Sequence, residues 1–295
     1  MKIVNLLFIL VFSVCFSQEN NIFERLTALK NNGKIWYNID GYSVTSEVFS
    51  NTFDEKGLKK VFRKHQISDS DAKVKDNQIN FNNLLVTKQQ KVAADFSQTN
   101  HYYFVENPDK TITVVWFIKI GKTDQETEEK LVNAIMEKKV PEENFSPMSI
   151  SSINFAGRKI ELGNGCYWTS INIVQCPYAG EMNWSVHRTL DDAKEAVENQ
   201  FNITKSKKMG KVVSEEMVDI EFEGVPVKAK KILYDFTGVA GVLAGMSGGK
   251  NLTVYYVAAV VRDKNVSCVM SYWNNDEINP ETKLPALLGK LMSVK

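Results

Sequence analysis

One outline occurs twice in this chain, and the repetition limits the fold more than any other feature. Asn251 to Lys295 and Gln98 to Val140 each read as two long apolar strands joined by a polar turn, followed by an amphipathic helix. In the later copy Leu252 to Val261 and Val266 to Trp273 are rich in Val, Tyr, Ala and Cys, which suit a pleated, buried surface. The first of these strands is apolar on both alternating faces, as a central strand would be. Arg262-Asp263-Lys264-Asn265 makes the polar break between them. Leu284, Leu287, Leu288 and Leu291 then fall at i, i+3, i+4 and i+7, a stripe that predicts a helix with Thr282 as N-cap and Pro285 in its first turn.

The earlier copy aligns at a constant shift of 153 positions, which sets Tyr102 and Tyr103 on Tyr255 and Tyr256, and Leu131 on Leu284. Its turn is Asn107-Pro108-Asp109-Lys110. The strand Thr111 to Ile120 alternates, with Ile112, Val114, Trp116 and Ile118 on one face. Its helix opens on the capping-box spacing Thr123-Asp124-Gln125-Glu126. The expected class is α+β: two tandem domains, each an antiparallel β-sheet with helices packed on it.

A length of 295 residues with 43% hydrophobic and 11% aromatic content can build two ordinary cores. With 36 basic against 35 acidic residues, no overall field would draw in nucleic acid, so none is expected as a partner. Met1 to Ser17 has one lysine and an apolar run from Ile3 to Val14, the layout of a secretory signal peptide cleaved near Ser17-Gln18. Nothing later approaches the roughly 20 apolar residues of a membrane-spanning helix, so the mature chain is expected in the periplasm or outside the cell. Three cysteines would remain there. Cys166 and Cys176 flank a short stretch and are expected to form a disulfide, leaving Cys268 buried in an apolar strand.

Along the chain, residues 18–140 read as a first α+β domain, 141–149 as a linker carrying two prolines, and 150–295 as a second α+β domain. Ile22 to Leu29 reads as a short helix stopped by Asn31-Asn32-Gly33, and Asp54 to His65 as another. Strands are expected at Lys34 to Ile39 and Tyr42 to Val48 about Asp40-Gly41, and a hairpin is expected about Glu223-Gly224. Leu190-Asp191-Asp192 opens a further helix. Gly238 to Lys250 reads as a glycine-rich loop that could cover a pocket or receive a partner.

Motifs for chemistry fail on inspection. Ala244 to Asn251 is close to a phosphate-binding loop, but Asn251 replaces the hydroxyl and a strand follows. His65, His101 and His187 share no ligand spacing and read as surface or edge residues, so neither a metal nor a cofactor is expected. Gly245-Met246-Ser247-Gly248 misses the nucleophile-elbow pattern, and no catalytic residue is nominated. Aromatic residues cluster beside turns, and Tyr167, Trp168 and Tyr178 are the candidate contacts for a protein or small ligand.

The element order of the second domain resembles the PsbP-like superfamily: paired strands, a helix at Leu190 to Phe201, a hairpin through Phe222-Glu223-Gly224, strands Leu252 to Trp273 and a closing helix at Leu284 to Met292. The resemblance implies an antiparallel sheet with helices on its faces and a non-catalytic accessory or binding role. It carries over no functional residue. The expectation is an exported accessory protein that binds another envelope component by a sheet edge or an inter-domain groove; the competing expectation is a secreted hydrolase with its site at the domain junction.

Overall fold

A computed structural model describes residues 21–93, 96–246 and 249–295. The expected signal peptide and its cleavage point lie outside the described residues. The chain folds into two eight-stranded sheets, which dominate the architecture, with helices on their faces.

The first sheet contains β1 (Thr27–Asn31), β2 (Lys34–Ile39), β3 (Tyr42–Thr52), β4 (Lys73–Val74), β5 (Asn83–Ala93), β6 (Phe96–Glu106), β7 (Thr111–Ile120) and β8 (Phe145–Ser146), in the spatial order β4-β5-β6-β7-β3-β2-β1-β8. All its pairings are antiparallel except that of β8 with β1. A separate hairpin, β9 (Ser152–Phe155) and β10 (Arg158–Glu161), precedes the second sheet. That sheet contains β11 (Tyr167–Ser170), β12 (Ile173–Cys176), β13 (Gly180–His187), β14 (Gly210–Phe222), β15 (Val225–Phe236), β16 (Asn251–Val261), β17 (Lys264–Trp273) and β18 (Met292–Val294), ordered β11-β12-β13-β17-β16-β15-β14-β18. Read from β11 to β14, it repeats the first sheet read from β1 to β4; the remaining strands differ, since β8 adds beside β1 and β18 beside β14, at opposite edges of the shared plan.

Several hairpins turn on two residues that both have positive φ: Asn32-Gly33, Asp40-Gly41, Ala156-Gly157, Glu223-Gly224 and Arg262-Asp263. This loop matches the natural twist of paired strands. It also explains two differences from expectation. Ile22 to Leu29 is not a helix: after a single 3-10 turn, Thr27–Asn31 pairs with β2, because the expected helix stop is a hairpin turn. Likewise the turn after β16 is only Arg262-Asp263, and Lys264 already pairs with Val261.

The shorter turn corrects the repeat alignment. Tyr103 pairs with Val115 in the first sheet, whereas Cys268, which lies 153 positions after Val115, pairs with Val257. The shift is therefore 153 along the second strand of the hairpin and 154 along the first, so Tyr102 is equivalent to Tyr256 and not to Tyr255. Packing agrees, since Tyr102 lies against the cluster under helix α1 (Glu55–Lys64) and Tyr256 in the cluster under α3 (Leu190–Ser206). A slip of one residue moves a side chain to the opposite face.

Helix α1 starts at Asp54, whose carboxylate accepts from the Gly57 amide at 2.7 Å, and packs Leu58 and Val61 on Phe49, Phe104 and Val114. Helix α2 (Gln125–Met136) covers the opposite face with Leu131 and Val132. Its N-cap is Asp124, one residue later than the capping-box spacing suggested. Helix α3, capped by Thr189, lays Phe201 on Tyr256 and Tyr234. The segment 141–149, expected as a linker, instead supplies a 3-10 turn and β8 to the first sheet. Gly238 to Lys250, expected as a loop, contains helix α4 (Gly238–Met246). The expected closing helix shrinks to α5 (Ala286–Gly289), preceded by Pro285 as an N-cap without a side-chain bond. Leu284, Leu287, Leu288 and Leu291 are nonetheless all buried, so the stripe reports burial and not helix length.

The cores are not independent. Leu29 of β1 is fully buried and belongs to the second sheet's core cluster, the one that holds Trp168, Trp184, Phe155 and Phe222, and Trp36 of β2, partly buried, packs against the same cluster. Cys166 and Cys176 form the expected disulfide across the start of the second sheet, and Cys268 is free and buried. Burial pushes the Cys268 thiol far above its ordinary range.

Candidate functional site

The two sheets meet where the β2–β3 turn abuts the end of β13. The Asp40 amide donates to the Val186 carbonyl at 3.1 Å, and the Gly41 amide to Ser185 Oγ at 2.8 Å. Gly41 has φ +77°, and a Cβ there would stand 3.1 Å from His187 Cε1, so both the conformation and the close approach favour glycine. Beside this contact opens a cleft of about 550 Å³, walled by the end of β7, residues 122–125, the end of β13 and the first turns of α3. Gly121, at φ +95°, brings the first half's backbone against Glu195 and Asn199 of α3.

The charges in and around the cleft are arranged in pairs. Arg25 binds Asp40 through two donors, Nε at 2.8 Å and Nη2 at 3.2 Å, with both side chains nearly buried. Arg188 Nη2 reaches across the junction to Asp124 Oδ2 at 2.6 Å and Thr127 Oγ1 at 2.8 Å. Burial alone would raise the Asp124 carboxyl, but Arg188 and the Thr127 donors outweigh it and hold it below its ordinary value.

Behind Asp124 runs a buried polar chain. The Asp124 amide donates to Tyr42 Oη at 2.5 Å, and Tyr42 donates to Glu128 Oε1 at 2.8 Å. Glu128, fully buried on α2, also meets Tyr103 Oη at 3.2 Å and His101 Nδ1 at 2.6 Å. Burial, followed by the Glu128 charge, raises the Tyr42 and Tyr103 hydroxyls far above their usual range. Both therefore stay protonated donors to the carboxylate.

Lys119 is the least conventional group in the wall. Its amine lies 4.5 Å from the Tyr42 ring centre, and burial lowers its pKa despite the opposing pull of Asp40, Asp192, Asp124 and Glu195. His187 is 2% exposed, its Nε2 is 2.8 Å from Ser267 Oγ, and burial drives its pKa down to about 4. Ser267 is itself buried on the central strand β17, so the pair has the character of core polar packing. This corrects the surface assignment of His187. His65 is likewise half-buried among Phe49, Tyr102, Phe104 and Trp116, with its pKa pushed down to about 4 by burial. His101 is held by Glu128.

The nominated aromatic residues stand apart from this cleft. Trp168 is in the core beside Trp184, with Nε1 donating to the Pro147 carbonyl at 3.0 Å. Tyr167 and Tyr178 are exposed, and Tyr167 donates to Gln175. No sequence pattern marks the cleft residues Lys119, Arg188 and Glu195, and Asp124 stands out only at a helix start, because the four come from separated elements. A signal did exist for Glu128: it heads the i, i+3, i+4, i+7 series with Leu131, Val132 and Ile135, a carboxylate on a core-facing stripe. Among the described residues, no group of three His, Cys, Asp or Glu side chains could hold a metal ion.

No protein-family model and no curated protein matches the chain. Among solved structures, a chain of the Tle4-Tli4 complex is similar at 10% identity over 91% of this chain and 97% of that one, with a TM-score of 0.24. The di-domain ARO/CYC StfQ from the steffimycin biosynthetic pathway is similar at 12% identity over 83% of this chain and 72% of its own, with a TM-score of 0.16. DynU16, from the dynemicin biosynthetic locus, is similar at 8% identity over 90% and 79%, with a TM-score of 0.18. Likenesses at this level carry no argument about function.

Proposed function

We propose that this is an exported accessory protein of two tandem α+β domains, the first closed by β8 at Phe145–Ser146 and the second beginning at about residue 150, that binds a polar segment of another envelope component in the cleft between its sheets. The observation that carries the reading is the state of the cleft's charges. Asp40 and Asp124 are each held by an arginine, while Lys119, Lys122, Glu195 and the amides of Gln125, Asn199 and Gln200 line the wall. Such a wall offers donors and acceptors of both signs to a polypeptide or zwitterionic ligand. The Cys166–Cys176 disulfide and the apolar leader support export to an oxidising space. The antiparallel second sheet, with helices on its faces, supports a PsbP-like second domain.

Capture from the native envelope tests the reading. The wild-type protein should retain a partner that the double variant Lys119→Glu/Glu195→Lys loses while still unfolding cooperatively; retention by both would reject the cleft. The lowered amine of Lys119 favours a second reading, a hydrolase at the same junction. Turnover of ester or peptide substrates that disappears in Lys119→Met would decide for the enzyme.

A further inference from the structure

Helix α4 is built the wrong way round for a helix that serves a core. Its small residues Ala240, Gly241 and Ala244 are the half-buried ones, and a Cβ on Gly241 would stand 2.5 Å from the Phe236 carbonyl oxygen. Its large residues face out: Val239 is 77% exposed, Val242 65%, Leu243 62% and Met246 81%. These four fall at i, i+3, i+4 and i+7, so they form one stripe, and no charged residue occurs from Thr237 to Gly249. The helix contributes no buried residue to a core, and at the ends of β15 and β17 the Phe236 and Trp273 rings stack on each other at 5.2 Å.

The rim of the stripe is basic. The Thr237 amide donates to the Met209 carbonyl at 2.9 Å, which places the α3–β14 connection beside the start of α4. That connection carries exposed Met209 between exposed Lys207 and Lys208 on one side and Lys211 on the other. On the far side, the Lys250 carbonyl accepts from the Phe236 amide, and the Lys250 amine meets Asp235, the acidic residue next to the helix, at 3.9 Å. An outward apolar stripe with several lysines at its edge is complementary to a surface whose interior is hydrocarbon and whose face is anionic.

We infer that α4 and its lysine rim form a membrane-contact surface that seats shallowly in an anionic phospholipid bilayer. The inference is independent of the cleft reading. Size favours a bilayer over a second protein: the stripe and Met209 form a small exposed apolar patch, well short of the roughly 20–30 residues that each partner of a standard protein complex contributes. Among the described residues no helix is long and apolar enough to cross a membrane, so the contact is interfacial.

Vesicle flotation of the intact mature chain tests this. Wild-type protein should float with vesicles of phosphatidylcholine mixed with phosphatidylglycerol, remain behind with phosphatidylcholine alone, and be released by high salt. Val242→Asp/Leu243→Asp and Lys207→Glu/Lys208→Glu should each reduce flotation at least tenfold while keeping the wild-type thermal transition, since all four residues are exposed. An environment-sensitive fluorophore on Val239→Cys should shift to the blue on anionic vesicles. The inference is overturned by absence of flotation, by flotation indifferent to the aspartates, or by equal binding to both vesicle types. Concentration-dependent dimerisation that the aspartates abolish, without flotation, would assign the face to a second copy and overturn it as well.

Discussion

His187 should make this protein acid-sensitive by an amount that can be worked out from its surroundings. The ring is enclosed by the Asp40-Gly41 turn and Ser267, and desolvation sets its pKa at about 4 against 6.5 for a solvated histidine. Asp40 and Asp192 pull the value up, Lys119 and Arg25 push it down, and burial dominates. The folded state therefore favours the neutral ring. Above pH 6.5 neither state binds the proton and His187 costs nothing. As pH falls below 6.5 the unfolded chain takes up a proton that the folded chain refuses, so stability is lost down to about pH 4. Over that interval of about 2.5 pH units the loss approaches 3 kcal/mol, at about 1.4 kcal/mol per unit. Urea unfolding between pH 7.5 and 4.5, on wild type and His187→Gln, isolates this contribution, because the carboxylates and His65 remain in both proteins. The wild-type curve should be the steeper. Parallel curves would refute the reasoning, since they would mean that the folded ring charges as readily as the unfolded one.

Three further outcomes follow from the packing. Arg188→Ala should cost only about 1 kcal/mol, because the ion pair is partly exposed on both sides; a double-mutant cycle with Asp124→Asn measures the coupling separately from Asp124's role as helix cap. Iodoacetamide applied to the unreduced, denatured mature protein should label Cys268 alone, and reduction of the ten-residue Cys166–Cys176 loop should lower urea stability by about 2.5 kcal/mol. Trp168→Ala should cost about 3 kcal/mol or more, whereas Tyr167→Ala and Tyr178→Ala should stay within about 0.5 kcal/mol of wild type, as calorimetry can show.

Elements whose local pattern coincides with their tertiary role could be read directly from the sequence. The alternation of Thr111 to Ile120 gives β7, Asp54 gives the start of α1, and Glu223-Gly224 gives its hairpin. Elsewhere two different structures share one local signature. An apolar pair every three or four residues suits both a helix and a strand that buries both faces, which is why Ile22 to Leu29 and Leu284 to Leu291 read as helices. Leu29 and Ala28 are both buried because one points into each sheet's core. Glycine between small apolar residues reads as loop, and helix α4 forms there against that propensity. The cleft was illegible for a different reason. Lys119 and Glu195 become neighbours only after both sheets have formed and the Gly121 backbone has closed against α3, and no spacing along the chain encodes that meeting.

The packing of Leu29 and Trp36 on the second sheet's core has a bearing on how the protein can be taken apart. A cut near residue 149 would leave two fragments that stay clasped, since pulling them apart would open an apolar wound in both and break the Asp40–Val186 backbone bond. The two halves should therefore melt as one, and a truncated copy of either half should need its missing neighbour, added in trans, to regain solubility.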